Sequence, residues 1–244
     1  MDQISDGHLE GPTTASTSRR ASRLSVVAIF LVAVAASAVL TWLNRDVYAF
    51  LFGNLNLLLL TAATGALGAG ALQLLVAYDW FHAGASGRNV ATAIGLGCSL
   101  TLPVIIVDLL GGFPAEMNVR FPESLLFYPA IALVAESVFH LVPLALLASV
   151  WRMTRFELAR ARLLAIGAVA LIEPMLQVAL GAGQSPLWTN IFLGFYVLGV
   201  NLIALDIFRR SGFVALYALR LGYYFIWHIA WGHLRLPLLF GGEV

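Results

Sequence analysis

Stretches of about 20 apolar residues recur seven times in this chain, at roughly 24–43, 55–78, 89–110, 125–149, 162–181, 187–207 and 213–234. Each is long enough to cross about 30 Å of hydrocarbon as a helix rising about 1.5 Å per residue. In lipid every backbone N–H and C=O must find a partner within the protein, so such runs fold as helices. Composition agrees: 60% of residues are hydrophobic and 11% charged, more apolar surface than a water-soluble domain could cover. The predicted fold class is therefore all-α, a polytopic membrane helical bundle with about seven transmembrane helices. One transmembrane domain over 23–237 is expected, with a C-terminal tail at 238–244.

The arginines orient it. With the N-terminus cytoplasmic, Arg19, Arg20, Arg23, Arg88, Arg152, Arg155, Arg160, Arg162, Arg209 and Arg210 fall inside, against Arg45, Arg120 and Arg235 outside. That bias follows the positive-inside rule. Residues 1–22 are polar and Ser/Thr-rich, and read as a disordered cytoplasmic tail. "AASA" at 35–38 resembles a signal cleavage site, but the apolar run before it is longer than a signal core, and six more follow. "DVYAFLFGNLN" at 46–56 reads as a short interfacial or re-entrant piece.

Several functions drop out. The chain contains no lysine, so it cannot form a retinal Schiff base, and a lone Cys98 cannot close an intrachain disulfide. "TGALGAGAL" at 64–72 loosely suggests a nucleotide loop, yet it lies inside a span with no strand before it. Its small residues are better read as letting two helices approach closely. "MTRFELARAR" at 153–162 reads as a solvated cytoplasmic connection, and no basic patch suggests nucleic acid.

What remains is a set of polar residues inside the spans. An ionisable group at mid-bilayer costs about 2.5–3.5 kcal/mol on insertion scales, so it normally faces the bundle interior and has partners. Glu136 and His140 stand at i and i+4, on one helical face. Glu173 directly precedes Pro174, which should kink the helix and free the Ala170 carbonyl; Gln177 lies one turn further on. Arg220, Tyr224 and His228 recur every four residues as a polar stripe on the last span. Asn201 is a further intramembrane polar group. Asp108 and Asp206 lie near span ends and are expected at the interface. His233 and Arg235 are expected at the far interface, with Trp227 and Trp231 in an aromatic belt.

"AESVFH" at 135–140, "ALIEP" at 170–174 and the region 211–232 ending in "FIWHIAWG" together resemble the CAAX-protease and bacteriocin-processing (CPBP, or Abi) intramembrane proteases. Members carry Glu-Glu-x-x-x-Arg, then Phe-x-x-x-His, then a histidine motif on successive parts of the membrane core. Here Ala135 stands for the first Glu, His140 for the Arg, Glu173 for the second motif's His and Gly232 for the final Asn, while His228 matches. The resemblance covers roughly residues 100–235. It implies a helical core around a water-holding polar cavity, a glutamate that activates water for peptide hydrolysis, and histidines that bind metal or stabilise an oxyanion.

The expected site is therefore Glu136 and Glu173 as catalytic carboxylates, with His140, Glu173 and His228 as candidate ligands of a divalent metal such as zinc. Gln177, Arg220 and Tyr224 support substrate or site. Two carboxylates in a low-dielectric space need a cation or a shared proton between them, and a metal with one glutamate left as base would supply it. The expected partners are the bilayer and a membrane peptide or protein substrate, in a prokaryotic inner membrane. Two other classes stay open: a non-catalytic family member acting as adaptor or regulator, in keeping with Ala135 and Gly232, and a proton-linked transporter.

Overall fold

The structure, a computed structural model, describes residues 12–44, 49, 53–154, 157–181 and 186–241. Seven helices are long and apolar enough to cross a membrane, and the chain is an integral multi-pass membrane protein. In chain order they are α1 (Pro12–Leu43), α2 (Leu57–Ala77), α3 (Gly87–Leu109), α4 (Ser124–Trp151), α5 (Leu158–Gly181), α6 (Leu187–Ser211) and α7 (Phe213–Phe240). The membrane-crossing part of α1 is Arg23–Leu43. Most of 46–56, expected as an interfacial piece, and residues 1–11 of the expected tail lie outside the described residues.

Boundaries differ from expectation at several ends. Helix α1 begins at Pro12, so the second half of the expected tail is helical. Proline suits that first position, where its missing N–H would be unpaired anyway. Helix α5 begins at Leu158, and the cytoplasmic connection shrinks accordingly. Helix α7 continues to Phe240, three residues into the expected C-terminal tail, and Gly241 ends it at φ +70°.

Helices α4 and α7 form the centre. They bury 61% and 56% of their most apolar windows, against 22–33% for the other five, whose outer faces are left for lipid. Helix α7 lies so close to α3 that a Cβ at Gly97 would overlap the Leu219 carbonyl, and one at Gly222 would press on Ile94. Gly68, in the small-residue stretch of α2, packs in the same way against Ser137 of α4. The reading of "TGALGAGAL" as a close helix approach thus holds at that glycine.

The two central helices are also the irregular ones. Each turns π-helical for part of its length, α4 over Glu136–Leu141 and α7 over Phe225–Trp231. Such wider turns interrupt the regular ladder and are frequent where side chains must be re-aimed for function. Helix α5 is broken outright at Leu171 into Leu158–Ala170 (α5a) and Ile172–Gly181 (α5b). The cause is Pro174, which has no N–H to offer and crowds the carbonyl one turn back. Asn201 of α6 donates to the freed Ala170 carbonyl at 3.3 Å, so the break is satisfied inside the protein.

The far end differs most from expectation. The α3–α4 connection folds back over α7 instead of leaving it at an interface. Asp108 is 1% exposed and Arg235 0%, and they pair at 2.6 Å. Trp227, 3% exposed, packs edge-on against Phe113 and forms no belt; Trp231 is half-buried, its indole N–H donating to Asp108 at 2.6 Å. His233 is exposed, and Asp206 meets Arg209 and Arg210 at the opposite end, both as expected for interfacial groups.

Candidate functional site

Six of the seven residues expected from the sequence form one connected network. Arg220 on α7 donates through Nε to Glu136 on α4, and through Nη1 and Nη2 to both oxygens of Glu173 on α5b, each at 3.2 Å. Nη1 also reaches the Tyr224 hydroxyl at 3.4 Å. His140 faces the other Glu136 oxygen through Nδ1 at 2.6 Å, and Gln177 donates to Glu173 Oε1 at 3.1 Å. The spacings seen in the sequence explain the pairs within a helix; the break in α5 explains Glu173. By restarting the helix there, Pro174 puts Glu173 in the first turn of α5b, where a helix N-terminus favours a carboxylate.

The two carboxylates have different surroundings. Glu136 is fully buried, with one oxygen taken by Arg220 and the other by His140. Glu173 lines a cavity of about 270 Å³ with Gln177, Arg220, Tyr224 and His228. That cavity runs toward Gly181, Thr189 and Asn190, at the end of the bundle that the arginine bias assigns to the outside. Its upper wall includes Phe113, Pro114 and Met117 of the α3–α4 connection. Glu136 and Glu173 were both expected as catalytic carboxylates, with Glu173 also a candidate metal ligand; of the two, Glu173 lines the cavity.

The three expected metal ligands bond to different partners. His140 turns Nδ1 to Glu136, His228 turns Nδ1 to Asn118, and Glu173 turns both oxygens to Arg220. Among the described residues no group of three or more His, Cys, Asp or Glu could hold a metal ion. The Arg220 guanidinium stands between the carboxylates, where the sequence argument called for a cation or a shared proton.

His228 is the seventh expected residue, and it stands apart from the network in an aromatic sleeve. It stacks on Tyr128 at 4.5 Å between centroids and meets Tyr224 edge-on at 4.9 Å. Asn118, whose Oδ1 lies 2.6 Å from His228 Nδ1, was missed by sequence reasoning. It lies in a connection 110 residues away, and no spacing could have linked the two. Gly232 backs it: a Cβ there would come within 3.0 Å of Asn118 Nδ2. No family model, curated protein or solved structure matches this chain.

Proposed function

We infer that the chain is an intramembrane hydrolase, acting on a membrane peptide or protein from within a prokaryotic inner membrane. The observation that supports this reading is the cavity itself, which joins a carboxylate, a guanidinium, a phenol and an imidazole inside the bundle. A carboxylate has about four acceptor positions. In Glu173 two on Oε1 and one on Oε2 are filled among the described residues, which leaves one on Oε2 to hold a water.

Arg220 has five N–H donors, four of them engaged among the described residues, so one proton on Nη2 remains. The Tyr224 hydroxyl accepts from Arg220 and keeps its own proton to donate. A substrate carbonyl seated beside them would gain two donors as its oxygen becomes negative, and such preorganised donors are worth about 10²–10³-fold each. Glu136 and His140 take no direct part. They hold Arg220 in place from behind.

Reconstituted protein, supplied with the membrane proteome in ¹⁸O-water, tests the reading. New carboxyl termini carrying ¹⁸O should appear with wild type and vanish with Glu173→Gln; the same products from both would refute it. A proton-linked transporter is the second reading, favoured by the broken α5 with its charged residue at the start of a half-helix. Solute uptake into vesicles that depends on Glu173, with no cleavage, would establish that reading instead.

A further inference from the structure

We propose that His228 is the proton acceptor of the cavity and that Asn118 is the positioning residue that fixes its tautomer. The chemistry rests on the hydrolytic reading above; the tautomer rests on geometry alone. In this scheme Glu173, whose two oxygens both accept hydrogen bonds from Arg220, holds the water, and another group takes its proton.

His228 is the imidazole that lines the same cavity. Its Nδ1 faces Asn118 Oδ1 at 2.6 Å, and the Tyr128 hydroxyl donates to that same oxygen at 3.3 Å. The Val119 N–H donates in turn to the Tyr128 hydroxyl at 3.1 Å, which leaves the hydroxyl proton for Asn118 Oδ1, an oxygen that can only accept. An oxygen that receives can only be met by an N–H, so Nδ1 carries the hydrogen and Nε2 keeps its lone pair. His140 makes the contrast: among the described residues its Nε2 is buried with no hydrogen-bond partner, and it does not line the cavity.

The rest of the fold holds Asn118 where this requires. Arg235 donates to the carbonyls of Phe113, Pro114 and Ala115, tying down the connection that delivers Asn118. Tyr128 fixes the ring plane by stacking at 17°. Gly232, having no side chain, leaves the space that the Asn118 amide occupies.

In the reaction the water oxygen bonds to the carbonyl carbon as one water O–H bond breaks, and the proton passes to His228 Nε2. When the bond to the leaving nitrogen or oxygen breaks, the same proton moves to the departing atom. Water is consumed and the imidazole returns to its starting state.

The test is ¹⁵N NMR of histidine-labelled protein at a pH where imidazoles are neutral, with the His228 signals assigned by their loss in His228→Gln. Wild type should show a protonated Nδ1 and a bare Nε2. Asn118→Leu should convert this to a mixture or to the opposite tautomer, and Asn118→Asp, which keeps an oxygen at the same place, should restore it. A wild-type His228 protonated on Nε2 would overturn the proposal, as would an unchanged signature in Asn118→Leu. If Asn118→Leu fails to fold, a wild-type pattern missing from Asn118→Asp overturns it equally. Where hydrolysis is measured, Asn118→Leu should lower kcat about 10²-fold with little change in KM, as expected for loss of a general base. Absence of any hydrolysis by wild type refutes the enzyme and leaves the tautomer result standing, so the two failures are distinguishable.

Discussion

Arg220 and Arg235 lie on the same helix, four turns apart, and both are buried with a carboxylate held through two bonds. Their donors tell them apart. Arg235 engages all five N–H groups: two with Asp108, and one each with the carbonyls of Phe113, Pro114 and Ala115. Arg220 engages four among the described residues, shares itself between two glutamates, and borders a cavity. A cation with every donor filled and no exposed surface is a staple. One with a donor left over, facing open space, is available to a ligand. Burial and pairing alone would have ranked them equal.

The largest effects should fall on the staple. Removing either partner of a buried ion pair costs about 3–5 kcal/mol, whereas replacing both by apolar residues recovers much of it. Thermal unfolding in detergent should therefore show a large drop for Arg235→Leu and for Asp108→Leu, and a smaller one for the double variant. If the single variants unfold like wild type, Arg235 is no staple. Next comes Arg220→Lys, which keeps the charge but loses the fork. It should hold its fold while the turnover defined by ¹⁸O incorporation falls about 10²-fold, the loss expected for one oxyanion donor. Equal damage to folding in Arg220→Lys and Arg235→Lys would erase the distinction between the two arginines.

Two smaller effects sharpen the comparison. Asn201→Leu strands the Ala170 carbonyl at the break in α5 and should destabilise by about 1–3 kcal/mol, read from the same unfolding curves. Gln177→Leu removes a single bond to Glu173 and should cost only about 0.6 kcal/mol, typical of hydrogen bonds within membranes. A larger loss in Gln177→Leu than in Asn201→Leu would mean that Gln177 supports the packing of α5b as well as Glu173.

The membrane bundle was legible because lipid enforces one pattern, a helix about 20 residues long, over each span. Glu136 with His140, and Arg220 with Tyr224, were legible as i,i+4 pairs, and the break beside Glu173 followed from Pro174. The cation between the carboxylates was also in the sequence, as an arginine left over inside the last span. Its pairing across three helices was not, because side-chain contacts between helices leave no periodic mark. Asp108, Arg235 and Trp227 were misplaced for a related reason. Position near a span end suggests an interface, yet the α3–α4 connection folds over them and seals them in. Asn118 belongs to that same connection, whose path depends on Arg235 and not on its local sequence.

The central claim is that the space beside Arg220 and Glu173 holds water while the neighbouring core does not. Thiols react with water-soluble methanethiosulfonates as thiolates, and thiolates need water. In a Cys98→Ser background, Val197→Cys lies on the cavity wall and Ala165→Cys in the closed core, both being buried positions. Rapid modification of the first and none of the second is the result expected. Two equally unreactive thiols would show a dry bundle, and Arg220 would then be a second staple.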